Sequence, residues 1–303
     1  MGERPLEGQV ALITGGARGI GRAIAIKLAK AGVSIAITGR FKESDDTVPY
    51  QTTTLDDRDK TIAMVEEVGG KCLSFAADVR SFDDMSKVVE QIMARFGRLD
   101  IVVANAGVFS GGVPIHQLSD NEWQRMMDVS VTGIWNTARA AIPHMLEAGR
   151  GNIVLISSVA GIKGGNAGFG HYATAKHAVT GLGRALATEL GPNNIRVNTV
   201  CPTSVATPMS ENQFYYDLFS GGTGGTKEQA QKSLKACNAC RWQLFSQKTW
   251  PTLLAGWFRT RLVMCTVLSY LSMRALRCIS KVKFNQFHRF SVKKQKPEQE
   301  IFV

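Results

Sequence analysis

VALITGGARGIGRAIAIKLAKAGVSIAITGR, residues 10–40, is the stretch that decides the fold. Val10 to Thr14 is apolar and β-favouring and runs straight into Gly15 and Gly16. From Ala17 the apolar residues recur at helical spacing until Gly32 stops them, and VSIAITG then reads as a second strand. A strand, a glycine turn and a helix place free N–H groups and a partial positive charge at one point, which suits a pyrophosphate. Gly15, Gly19 and Gly21 are spaced G-x-x-x-G-x-G, not the G-x-G-x-x-G of typical dinucleotide folds, so a purely structural turn stands beside the phosphate reading. About 20 residues on, an acidic residue would bind the ribose hydroxyls. Gly39 occupies that place instead, with Arg40 next and Lys42 nearby. A cation there pairs with the 2′-phosphate of NADP; NAD, or a merely solvated loop arginine, stays open.

Outward from this stretch the pattern repeats. A polar segment over 40–59 and a helical stretch near 59–69 precede a third strand, KCLSFAADV. SFDDMSKVVEQIMARFG opens with a Ser/Asp cap and reads as helix, and LDIVVANAG is a fourth strand. Residues 119–149 read as a long helical region with an expected interruption at Pro143. GNIVLISS, then HYATAKHAVTGLGRALATELG ended by Gly191-Pro192, then IRVNTVCP give strand, helix, strand. Strands alternating with helices predict an α/β, doubly wound, Rossmann-like parallel sheet with a ligand crevice at the strand ends.

Composition sets limits on the rest. With 303 residues and 44% hydrophobic content the chain can build one large core or two small ones. No apolar run reaches the ~18 residues of a spanning helix, and MGERPLEGQV has no apolar core before a cleavage site, so a cytoplasmic protein is expected. The net charge of +11 suggests nucleic acid or membrane until it is located. Residues 240–303 hold 12 Lys and Arg against 2 Asp and Glu, whereas residues 1–239 hold 24 against 23. The boundary divides a nucleotide-binding domain, 1–239, from an aberrant basic tail, 240–303. Six scattered cysteines fit a reducing compartment, and the Cys237/Cys240 pair lacks the partners of a zinc site.

Tyr172 and Lys176 are four residues apart on a predicted helix and share a face. A tyrosine has a pKa of about 10, and a neighbouring ammonium is expected to lower it. Ser158, at the end of the fifth strand, is placed to hold a substrate oxygen. Together they fit proton transfer at an oxygen while a nicotinamide exchanges hydride with the adjacent carbon.

These motifs jointly resemble the classical short-chain dehydrogenase/reductase family. TGGARGIG (14–21) is similar to its cofactor loop, Asp78-Val79 to its adenine-contacting pair, and NAG (105–107) to its fourth-strand motif. Pro202 to Thr207 resembles the segment that contacts the nicotinamide. The resemblance implies catalysis by Ser158, Tyr172 and Lys176. It implies cofactor contacts at Gly15, Arg18, Gly19, Ile20, Gly21, Arg40, Asp78, Val79, Asn105, Ala106, Gly107, Tyr172, Lys176, Pro202, Val205 and Thr207. The family's catalytic Asn, which organises a water chain behind the lysine, falls at Ser130. TVPYQTTTLDD and the segment from Tyr172 to Met209 resemble the mycofactocin-associated, carveol-dehydrogenase-like branch, implying a tightly held cofactor covered by the insertion after the second strand. That branch favours NAD, where Arg40 favours NADP.

The implied reaction interconverts an alcohol and its ketone or aldehyde. Met209, Phe214, Tyr215, Tyr216 and Phe219 fall in an expected lid over 208–235 and suit a hydrophobic substrate. A non-catalytic nucleotide-binding protein of the same fold is the competing reading. From 240 onward the chain shows neither the family's last helix nor its last strand, so that strand is expected to be missing or disordered. Permitted codons for 241–277, read one frame over, yield S-D-E-A-R-Y and P-V-D-A-G segments like the family's missing ending, which points to a frameshift near Ala239–Cys240. The alternative is a basic tail that binds nucleic acid or anionic lipid through KVKFNQFHRFSVKKQKP. The frameshift reading expects neither partner, and a homo-oligomer only with an intact C-terminus.

Overall fold

Val10–Thr14 forms β1, and all five of its side chains are buried. In the computed structural model, which describes residues 4–41, 48–163, 167–236 and 267–269, β1 leads through the glycine turn into α1 (Gly19–Lys30) and β2 (Ser34–Gly39). The alternation continues with α2 (Leu55–Glu67), β3 (Cys72–Ala76), α3 (Phe82–Phe96), β4 (Ile101–Ala104), α4 (Asp120–Met127), α5 (Gly133–Glu147) and β5 (Gly151–Ile156). Then come α6 (Gly170–Leu190), β6 (Ile195–Cys201), α7 (Gln213–Ser220), α8 (Lys227–Ala236) and β7 (Val267–Ser269). Lys42, the Cys237/Cys240 pair and the tail apart from β7 lie outside the described residues.

All strands pair in parallel in the order β3-β2-β1-β4-β5-β6-β7. Strand order reverses between β1 and β4, and the crevice of a doubly wound sheet opens there. The strands read as unbroken apolar runs because both faces are covered. Leu12, Val102 and Leu155 face α3, α5 and α6 through Val88, Ile134, Ala138 and Val179. Ile13, Ile35 and Val103 face the other way, towards Ile24, Leu28 and Val65 of α1 and α2. Among the described residues no helix is long and apolar enough to cross a membrane.

Three expectations change. α2 starts at Leu55, not near 59, because Thr54 and Asp57 form a reciprocal cap at the helix start. The long helical region over 119–149 breaks at a π-helical turn, Asp128–Thr132, whereas Pro143 sits inside α5. The last strand, expected to be missing or disordered, is present as three residues: Val267–Ser269 pair with Thr199–Cys201, so the edge of β6 is covered at its C-terminal end.

Candidate active site

The glycine turn after β1 is built for close backbone approach. Gly15 and Gly19 take positive φ of 62° and 56°. A Cβ on Gly15 would lie 3.1 Å from both Asn105 Nδ2 and Ala106 Cα, and one on Gly21 would collide with the Gly15 carbonyl oxygen. Asn105 Nδ2 donates to the Thr14 and Gly15 carbonyls at 2.9 and 3.1 Å, which fastens the turn to the end of β4. α1 begins at Arg18 with no side-chain cap and no acidic residue in its first turn. Its first N–H groups and positive dipole end are therefore left for an anion, so these residues fit the pyrophosphate of a dinucleotide.

The segment after β2 bridges this turn to the opposite wall. Arg18 Nη1 donates to the carbonyls of Gln51 and Thr52 at 2.8 and 3.1 Å. The Tyr50 hydroxyl accepts the backbone N–H of Phe109 at 2.8 Å, two residues beyond Gly107. Burial pushes the Tyr50 phenol above its ordinary value. At the end of β2, Arg40 Nη1 stands 4.0 Å from the Asp78 carboxylate, and Arg80 Nη2 binds the same carboxylate at 2.6 Å. Burial alone would push Asp78 up; the hydrogen bonds from Arg80 and the charge of Arg40 together bring it below the usual carboxylate value. Val79 is buried and packs where a Cβ on Gly133 would fall.

The structure brings Ser158, Tyr172 and Lys176 together. Ser158 follows β5 and caps the turn Val159–Gly161, its Oγ accepting the Ala160 N–H. Tyr172 lies beside it. Burial pushes the Tyr172 phenol up to about 12, with Ser158 opposing the shift. Burial pushes the Lys176 ammonium down to about 8; Nζ donates to the Ile156 carbonyl at 3.1 Å and lies 5.8 Å from the Tyr172 ring centroid. Desolvation thus outweighs the lowering that sequence spacing led one to expect of the phenol. Ser130 is buried in the π-helical turn, with Oγ 3.5 Å from Met126 Sδ. A Cβ on Gly107 would stand 3.6 Å from Lys176 Nζ and 3.8 Å from Ser130 Oγ, so lysine and serine face one spot beside Gly107.

A cavity of about 300 Å³ opens in front of this trio. Gly15, Arg18, Gly19 and Ile20 line it from the turn, and Asn105, Ala106 and Gly107 from the end of β4. Pro202, Val205 and Thr207 line it from the segment after β6. Gly21, Arg40, Asp78, Val79 and Ser130 stand off this wall, the first four at the turn and the β2–β3 end of the crevice, Ser130 behind Lys176. Of the expected lid residues, Met209, Tyr215 and Phe219 line the cavity, while Phe214 and Tyr216 pack behind them in the aromatic cluster.

Sequence reasoning missed Tyr50, Phe109 and Phe169. Phe109 stacks on Phe169 with centroids 5.6 Å apart and meets Tyr172 edge-on at 5.2 Å. Its signal was an aromatic two residues after the NAG motif. Tyr50 lies in TVPYQTTTLDD, but its own contact could not be read, because its partner is a backbone N–H from a distant loop. His171 was missed too: buried beside Tyr172, its Nε2 lies 2.8 Å from Ser110 Oγ.

Comparison with known proteins agrees with this architecture. Residues 9–215 match the family model described as short chain dehydrogenase. The (-)-trans-carveol dehydrogenase of Rhodococcus erythropolis is 46% identical over 216 residues, 71% of this chain and 77% of that protein. The crystal structure of carveol dehydrogenase from Mycobacterium avium in complex with NAD superposes with a TM-score of 0.77 at 37% identity, covering 82% of this chain and 90% of that one. A short chain dehydrogenase from Burkholderia cenocepacia in complex with NADP gives a TM-score of 0.66 at 30% identity, covering 83% and 90%.

Proposed function

The chain belongs to the short-chain dehydrogenase family, an NAD(P)-dependent alcohol dehydrogenase/carbonyl reductase, and from that premise we propose that it interconverts a hydrophobic secondary alcohol and its ketone. The observation that carries the reading is that Ser158, Tyr172 and Lys176, the last one helical turn on from the tyrosine, line one cavity with Gly15 and Gly19 of the glycine turn. When bound, a nicotinamide supplies the ring carbon that takes or gives the hydride. Tyr172 Oη removes the hydroxyl proton in oxidation and returns it in reduction, and Ser158 Oγ holds the substrate oxygen. Gly15, Gly19 and Gly21 leave room for the pyrophosphate. Asp78, Val79 and Asn105 belong to the adenosine half, and Pro202, Val205 and Thr207 to the nicotinamide half. Ser130 keeps a donor and acceptor behind Lys176, in the place of the family's longer Asn, and supports a slower proton path.

Because burial holds Tyr172 protonated, the phenol is ready to give a proton across neutral pH, whereas oxidation needs the tyrosinate and speeds up as pH rises. The aromatic wall of Phe109, Phe169, Tyr215 and Phe219 suits a terpenoid or similar apolar alcohol, as the carveol-dehydrogenase relatives would suggest. Either cofactor is compatible: Arg40 and Arg80 offer cations to a 2′-phosphate, while the Mycobacterium avium relative binds NAD. Single-turnover hydride transfer from a panel of cyclic and straight-chain secondary alcohols, with NAD and with NADP, tests the reading. Tyr172→Phe should lower kcat/KM by about 10²–10⁴. Cofactor binding without any hydride transfer would instead mark a non-catalytic nucleotide-binding protein.

The finer placement in the mycofactocin-associated branch is part of the same proposal. Its support is the bridge over the glycine turn made by Arg18, Tyr50 and the carbonyls of Gln51 and Thr52. A frameshift near Ala239–Cys240 is also proposed. The shifted reading lays an apolar V-V-L-P run over the positions that form β7, where a parallel partner of β6 belongs. Assembly into a homo-oligomer through that ending is proposed for the unshifted chain, and a cytoplasmic setting is proposed for the enzyme.

A further inference from the structure

Beyond the reacting trio, a second pocket of about 620 Å³ opens next to the first. Phe169, Phe219 and Leu234 line both, so the two share one wall. The rings of Phe169 and Phe219 are stacked in that wall, centroids 5.7 Å apart and 21° from parallel. The second pocket is further lined by Leu218, Gly112, Gly221 and Gly222 and by the polar residues Asp217, Ser220 and Ser233.

The two leaves of this wall are held differently. Phe169 lies on a glycine seat: a Cβ on Gly111 would come within 2.5 Å of its ring. Gly112 N–H donates to the Gly168 carbonyl at 3.0 Å, and a Cβ on Gly168 would press on the Gly112 backbone at 3.1 Å. That leaf is fixed by close backbone packing. Phe219 is the penultimate residue of α7, an eight-residue helix. α7 ends at Gly221 with φ 90°, and Gly222 and Gly224 follow; a Cβ on any of these three would meet nothing within 4 Å. Packing does not demand those glycines, but the positive φ of Gly221 and Gly224 does, and the turn is tied back to α7: the Gly221 and Gly222 N–H groups donate to the Asp217 carbonyl at 3.2 and 3.1 Å, and Gly225 N–H donates to Asp217 Oδ1 at 2.9 Å. Phe219, whose ring also packs 4.5 Å from that of Tyr215, is held by side-chain contacts alone, so it is the leaf that has to turn about its own side-chain bonds for anything to pass.

Resting on the alcohol dehydrogenase reading above, we propose that the second pocket is a substrate subsite that takes the aliphatic tail of an elongated secondary alcohol or ketone, threaded between Phe169 and Phe219. The inner cavity of about 300 Å³ has to admit the nicotinamide end of a cofactor as well as the carbinol carbon, which leaves it room for a short or compact substrate only. An apolar chain leaving it meets Phe219 and Leu234, which line both pockets, and enters a second pocket lined by Leu218, Asp217 and Ser220 as well. Phe219 accordingly sets the length of substrate that is accepted.

The test is kcat/KM for straight-chain secondary alcohols of four to twelve carbons, with calorimetric affinity for the matching ketones as a readout independent of turnover. Phe219→Ala should raise the long-to-short ratio of kcat/KM by about tenfold or more, through KM, as expected for methylenes gaining an apolar site. Phe219→Trp should lower the same ratio and weaken the binding of long ketones alone. Phe219→Leu, with melting curves for all three variants, guards against loss of fold. A length profile unchanged in folded variants that turn over short alcohols overturns the subsite and leaves the dehydrogenase reading intact. Should wild-type protein bind the ketones without turnover, the ketone length profile still decides the subsite while the dehydrogenase reading fails; no binding and no turnover overturns both.

Discussion

Lys176 and Tyr172 are titratable groups whose burial shifts them in opposite directions, to about 8 and about 12. The folded lysine releases its proton at about 8, the unfolded one at about 10.4. Between those values the unfolded chain binds more protons, so this group makes the protein more stable as pH rises. The cost of burying its charge is fully present below about 8 and vanishes above about 10.4. Tyr172 works the other way: its folded pKa lies above the unfolded value of about 10, so stability is lost between about 10 and about 12. Stability from the pair therefore peaks near pH 10. Lys176→Met should flatten the rise in melting temperature between pH 8 and 10 while leaving the fold intact. An unchanged slope in the variant would show that the lysine is not desolvated. The spacing of Tyr172 and Lys176 in the sequence announced their meeting, but not this balance, because burial depends on Phe109 and Tyr215, which arrive from distant elements.

Most elements of this fold are readable from local signals. β1, β4 and β5 are continuous apolar runs because helices cover both sides of the sheet, and Ser81 and Gly97 mark the two ends of α3 as caps. The start of α2 was equally legible in Thr54-x-x-Asp57, but the polar residues around it hid the helical period. The resemblance implied that the insertion after β2 covers the cofactor, but the bonds that make it a bridge over the glycine turn were not legible. Its bonds run from Arg18 to carbonyls and from a backbone N–H to Tyr50, so side-chain identity carries half of each contact at most. This element makes its own prediction. Tyr50→Phe removes an acceptor from a buried N–H at a cost of about 1–3 kcal/mol while keeping the ring. Dinucleotide retained through gel filtration and released on denaturation should fall severalfold in the variant. Equal retention would separate the bridge from cofactor holding.

At the scale of the whole chain the charge is divided, nearly balanced over residues 1–239 and strongly basic beyond. Three residues of β7 give β6 a partner, where a full-length strand would cover more of Ile195–Cys201. An exposed stretch of parallel edge invites association with other chains. Replacing residues 240–303 by the shifted-frame sequence should raise the melting temperature and give a defined oligomer by light scattering. The coding DNA around codon 240 is the companion measurement, and stop codons in the shifted frame would end the idea. The glycine turn and the meeting of Ser158, Tyr172 and Lys176 were foreseeable from the sequence; the partner of β6 was not, because Val267–Ser269 is too short a stretch to show the period of a strand.

The hydrogen bond from Phe109 to Tyr50 ties the bridge over the dinucleotide cleft to the ring that walls the substrate cavity. Where a dinucleotide steadies this strut, its effect on alcohol affinity and the alcohol's effect on dinucleotide affinity are the same factor. Occupancy by an alcohol would then delay loss of the nucleotide, and a resident nucleotide would pre-shape the wall that greets the alcohol.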